Sequence, residues 1–139
     1  MTIRTGVRTV AFAMAAGGIL IGGARPAGAA APAATPAAIP AAAMEQAQTI
    51  FATRCAMCHG SGGKGDGPAG AALNPHPRDM TDAAWQKSVT DEHIEQIIAG
   101  GGAAVGKSPM MPANPDLATK PDVVTALRQI VRGFQSGPK

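Results

Sequence analysis

Cys55-Ala56-Met57-Cys58-His59 is the stretch on which the reading of this chain turns. Two cysteines three positions apart, followed at once by a histidine, make the C-x-x-C-H pattern of covalent haem attachment. Each residue has a task. The thiols can add across the two vinyl groups of one haem, and the imidazole then sits at the iron as proximal ligand. The chain has 2 cysteines in all, so none is left over. Other uses of the pair explain less. A thioredoxin-like pair sits among alternating strands and helices, which this sequence lacks. A structural zinc site needs four ligands, and no second C-x-x-C supplies them. A Cys55–Cys58 disulfide is open to an exported protein but leaves His59 unexplained.

Working outward, residues 1–29 read as a Sec-type signal peptide. Arg4 and Arg8 form a positive start, residues 9–23 an apolar run, and Ala27-Gly28-Ala29 a small-x-small cleavage site. The run is short of the roughly twenty residues that span a bilayer, so membrane association is expected only if the signal is retained. No twin arginine is present, and the expected location is the periplasm. The net charge of +3 rests on Arg4, Arg8 and Arg25; beyond the signal nine basic residues face nine acidic ones. A basic footprint for nucleic acid is therefore missing, and no nucleic-acid partner is expected. Residues 30–43 are almost wholly Ala, Pro and Thr and read as a linker. One domain, 44–135, and a short tail, 136–139, complete the chain. So small a domain buries a modest core and needs a staple or cofactor.

Three helices are expected in that domain. Residues 44–54 carry Ala47, Ile50, Phe51 and Arg54 at helical spacing and lead into the haem motif. Residues 91–99 follow Thr90 as N-cap, with Asp91 and Glu92 in the first turn, a Val89/Ile94 hydrophobic staple, an Ile94/Ile97/Ile98 stripe and a stop at Gly100-Gly101-Gly102. The last helix is expected to start at Thr119, with Asp122 completing a capping-box-like pair, and to carry Val123, Leu127, Ile130, Val131 and Phe134 on one face. No strand pattern competes, so the fold class is all-α. The Gly/Pro-rich stretches 60–81 and 100–114 are expected to wrap the haem edges. The first is no phosphate cradle, because no strand precedes its glycines and no Gly-Lys-Ser/Thr follows.

Taken together, the Cys55–His59 motif behind an amphipathic helix, the stretch Cys58-His-Gly-Ser-Gly-Gly-Lys-Gly-Asp-Gly-Pro68, the segment Asn74-Pro-His-Pro-Arg-Asp79, the Met-Pro loop at Met111-Pro112 and the closing helix resemble class I c-type cytochromes, in particular small bacterial monohaem members. The resemblance covers the whole mature domain. It implies a cytochrome c fold of three to four short helices, one covalent haem c held by Cys55 and Cys58, and His59 and Met111 as axial ligands. It also implies that the Pro68 carbonyl accepts the His59 Nδ1–H, and that the protein passes single electrons between redox partners rather than acting as an enzyme. Two positions depart from the family pattern: Ala47 stands where a glycine is common, and Ile130 where an aromatic is common.

For the distal position the rivals are Met80, Met110, His76 and His93. Met80 follows His59 too closely and is better read as core filler. His76 is stiffened between Pro75 and Pro77. His93 is read as solvated, opposite the isoleucine stripe. Met111 follows the second helix, which gives chain enough to reach the other haem face, and Pro112 stiffens it; Met110 is the runner-up. Arg78 and Trp85 are candidates to hydrogen-bond a buried propionate. Lys64, Lys87, Lys107 and Lys120 are read as solvated, with Lys64 and Lys107 candidates to border the haem edge. A monomeric carrier is the leading expectation. A haem subunit of a periplasmic dehydrogenase or oxidase complex, tethered by residues 30–43, is the alternative. A sensor with an open sixth position is disfavoured by the Met-Pro motif.

Overall fold

The computed structural model describes residues 38–136, and the expected signal peptide and most of the expected linker lie outside them. Among the described residues there is no strand. Helix α1 (Ala41–Ile50) runs without a break through a π-helical turn (Phe51–Cys55) into α2 (Ala56–His59). Helices α3 (Ala83–Ser88), α4 (Asp91–Gly100) and α5 (Pro121–Gly133) follow, with one 3-10 turn before α3, two between α4 and α5 and one after α5. The described residues thus form an all-α fold, as expected. No helix among the described residues is long and apolar enough to cross a membrane.

The core lies where α5 packs against α1 and α4. From α1 it takes Ala43, Ala47, Ile50 and Phe51; from α4, Ile94 and Ile98; from α5, Val123, Val124, Ala126, Leu127 and Val131. Ala47 and Ala126 have no exposed surface at all, and small side chains at those positions let α1 and α5 approach closely. The aromatic absent at Ile130 is supplied one turn on. Phe134 packs against Phe51 with ring centroids 5.3 Å apart and the rings tilted by 44°, within the range of favourable aromatic pairs.

Helix boundaries depart from expectation for identifiable reasons. Helix α1 starts at Ala41, nearly a turn before Met44, with Pro40 at its N-cap, and Ala43 is already buried in the core. Helix α5 starts at Pro121, not at Thr119. Lys120 is the N-cap, without a side-chain cap bond. Proline disfavours the helical conformation in the residue before it, while its own fixed φ and missing N–H suit the first helical position. Helix α3 was not expected. Its six residues are too few to show a period, and it depends on Asp82, whose carboxylate accepts from the Ala84 and Trp85 N–H groups at 2.8 and 3.3 Å. The Thr90 cap forms as expected, its hydroxyl accepting from His93 N–H.

Polar side chains lock these helices together. Gln86 on α3 is buried, and its Nε2 donates to the Met80 and Val131 carbonyls at 2.7 and 2.8 Å. Its Oε1 accepts from Arg132 Nη1 at 2.8 Å, so the amide is satisfied at both ends. Arg132 also donates to Asp91 and to the Gln86 and Val89 carbonyls, while Arg128 donates to Asp91 and Glu95. The N-terminal half of α4 is thereby fastened to α5.

Candidate haem site

The π-helical turn decides which side chains of the motif face inward. Residues 43, 47, 50 and 51 set the buried face of α1, and an undisturbed helix brings position 54 next onto it. The π turn holds one extra residue, the Ala56 N–H bonding back to the Phe51 carbonyl. Cys55 therefore packs against the core, and Arg54 lies exposed on the rim.

Cys55, Cys58 and His59 line one cleft of about 860 Å3, within the range of roughly 300–1,000 Å3 typical of cofactor sites. Its walls include Leu73, Met80, Trp85, Val89, Ile94, Ile97 and Ile98. Both thiols are free. Burial pushes the Cys55 thiol up; the Arg54 charge works against it, and Cys58 adds a smaller push upward. Burial holds the His59 imidazole below its ordinary pKa, and the nearby Arg78 backbone carbonyl offsets part of that. A neutral imidazole is the form that ligates a metal. Nδ1 of His59 is buried without a hydrogen-bond partner, so the bond it was expected to donate to the Pro68 carbonyl is not made. Pro68 is exposed and does not line the cleft.

The other expected residues divide clearly. Arg78 and Trp85 both line the cleft, the guanidinium carbon 6.0 Å from the indole centroid, at the outer limit of a cation–π contact. Lys107 lines the cleft and Lys64 does not. Met80 is 7% exposed and belongs to the core, as core filler should. Both Met110 and Met111 reach the cleft, but Met110 is 59% exposed and Met111 half-buried. His76 is exposed on the rim. His93 is not on a solvated face: it is half-buried and lines the cleft with Ile97, to which an i, i+4 step brings it.

The Met111 segment is mounted on the end of α4. Gly101 closes the helix with φ +75°, a left-handed conformation suited to glycine. Gly102 N–H then donates to the Met111 carbonyl at 2.9 Å, and its carbonyl accepts from Lys107 N–H at 2.8 Å. Asn114 fastens the far side, its Nδ2 donating to the Ile98 carbonyl and its N–H to the Ala99 carbonyl. Sequence reading missed Asn114. An Asn-Pro pair signals a turn, but nothing local says that its amide caps a helix sixteen positions back.

Paired free thiols and an imidazole facing an apolar cleft fit haem, with Cys55 and Cys58 to hold it. Such a site on an all-α domain defines a c-type cytochrome. The chain belongs to the cytochrome c family, whose Cytochrome c model matches residues 44–127. It carries covalently bound haem c, which supplies an iron that cycles between ferrous and ferric states for electron transfer. The family is one of electron carriers that work with redox partners. No curated protein matches the chain.

Proposed function

We propose that the protein is a periplasmic carrier of single electrons, exported by residues 1–29, with His59 and Met111 as the axial pair of its haem iron. The carrying observation is the contrast between the tandem methionines. Met111 is half-buried in the cleft wall with its carbonyl fixed by Gly102, while Met110 is largely exposed. A thioether ligand favours the ferrous state and raises the potential. It also fills the sixth position, which suits transfer between proteins and leaves no place for a substrate. Arg78 and Trp85 are the groups of this chain suited to a propionate, since both line the cleft and one is a cation.

The test compares two variants of the holoprotein. Met111→Leu should abolish the sulfur-to-ferric charge-transfer band, lower the midpoint potential and open the ferrous iron to carbon monoxide. Met110→Leu should cost at most about 1.5 kcal/mol as a volume-conserving swap and leave the band in place. The reverse pattern would make Met110 the ligand. No change in either variant would remove methionine ligation from the account. Purification of the native protein from a periplasmic extract separates a free carrier from the subunit of a larger complex, because a stable partner co-elutes.

A further inference from the structure

We propose that Arg54 is a positioning residue that clips the Met111 segment to the haem-attachment turn across the mouth of the cleft. The proposal rests on the reading of Met111 as distal ligand. Arg54 precedes Cys55 directly, and the π turn delivers its side chain to the cleft rim. Its Nη1 donates to both carboxylate oxygens of Asp116, at 2.9 and 3.0 Å, and at 3.5 Å to Asn114 Oδ1. Among the described residues no other hydrogen bond joins residues 51–59 to residues 107–117. The Asn114 amide that meets Arg54 on its oxygen side is held on its nitrogen side by the Ile98 carbonyl. Asp116 sits in the 3-10 turn Pro115–Leu117, whose Leu117 is 1% exposed and fixed in the core. Only two residues, Pro112 and Ala113, separate Asn114 from Met111, and the proline ring stiffens that span.

A displacement of the Met111 segment from the cleft has to stretch or break this clip. Both ends of the ion pair are nearly half exposed, so the clip is sensitive to salt and modest in strength.

Imidazole competition against the ferric holoprotein, read as loss of the sulfur-to-ferric band, tests the clip. Arg54→Met and Asp116→Asn should each raise the apparent imidazole affinity about three- to fivefold, the scale of an exposed ion pair. The double variant should do no more than either single one, and Arg54→Lys should retain part of the protection. Raising salt to about 0.5 M should move the wild type towards the variants and leave the variants nearly unchanged. Asp91→Asn weakens two other ion pairs, to Arg128 and Arg132, at the far end of α4; it should lower the melting temperature without raising imidazole affinity. Wild-type affinity in Arg54→Met and Asp116→Asn, an additive double variant, or an equal rise in Asp91→Asn would each overturn the clip. Met111→Leu in the same assay separates the two ideas. If it keeps the band, the axial reading fails and the clip with it. If it loses the band while Arg54→Met and Asp116→Asn behave as wild type, the clip alone is refuted.

Discussion

Gly102→Ala sets two opposing effects against each other at the base of the Met111 segment. Gly102 has φ −62° and ψ −39°, a conformation that alanine adopts without strain, and in a helical turn alanine is preferred by about 1 kcal/mol. Backbone preference alone therefore predicts stabilisation. Space predicts the opposite. A Cβ at this position falls 2.0 Å from the Ser108 carbonyl oxygen, 3.0 Å from its carbon and 3.4 Å from Met111 Cβ. The obstacle is backbone, and it must recede by more than an ångström, taking the Lys107 and Met111 hydrogen bonds to Gly102 with it. Overpacking of this kind costs about 1–3 kcal/mol, so sterics outweigh the propensity gain and leave a net loss of up to about 2 kcal/mol. In a domain of this size that lowers the melting temperature by up to roughly 16 °C. The assay is thermal melting of the holoprotein, with the sulfur-to-ferric band recorded on the same sample. A variant that melts at or above the wild-type temperature with its band unchanged would refute the packing argument.

Gly133→Ala is the counterpart: nothing lies within 4 Å of the added Cβ, so the end of α5 should gain about 0.5–1 kcal/mol in denaturant titration. Leu117→Ala removes the largest fully buried side chain and should cost about 2–5 kcal/mol by the same measurement. Arg132→Met leaves Gln86 Oε1, the Val89 carbonyl and one Asp91 oxygen short of a donor. It should destabilise by about 1–3 kcal/mol, where methionine at a merely exposed site would be near neutral. The Arg54 guanidinium holds the Asp116 carboxyl below the usual carboxylate range. A depressed native pKa contributes stability that is present above the unfolded value, near 4, and lost as pH falls through the native one. Asp116→Asn should therefore flatten the stability profile below about pH 4 and leave its slope above pH 5 unchanged.

What was legible in the sequence is what local chemistry dictates. Cys55, Cys58 and His59 are adjacent, and their pattern names its own chemistry wherever the chain folds. The Thr90 cap and the isoleucine stripe of α4 follow from short-range rules that tertiary structure had no reason to override. The misses come from single-residue offsets and from contacts distant in the chain. The extra residue of the π turn Phe51–Cys55 sets which side chains of the attachment stretch face the core, and apolar spacing alone gives no sign of it. Pro121 outcompetes the Thr119 cap because its ring restricts Lys120. His93 lies on the cleft side of α4 rather than opposite the isoleucine stripe, a side its i, i+4 relation to Ile97 already fixes. Gln86 reads as a surface glutamine until Met80 and Val131, one of them 45 positions away, bring their carbonyls to it.

The distal side is harder to read than the proximal one because it is assembled from separate parts of the chain. The haem-attachment residues come from one continuous stretch of helix. The Met111 segment instead takes its position from three separate sources: the Gly101–Gly102 exit of α4, the Asn114 bonds to Ile98 and Ala99, and the Arg54–Asp116 pair. The other end of α4 is held by Arg128 and Arg132 from α5. Ile94 and Ile98 are buried in the core and also line the cleft, so a shift of α4 is felt at both. On this arrangement a change at Arg132 should loosen α4 near Asp91 first and reach Met111 only through the length of the helix. Arg132→Met should therefore lower global stability well before it weakens the sulfur-to-ferric band, whereas Gly102→Ala should affect both together. Hydrogen exchange of the α4 amides, compared with the band as denaturant is raised, checks that order. Loss of the band ahead of α4 protection in Arg132→Met would mean that the distal loop is not positioned through this helix.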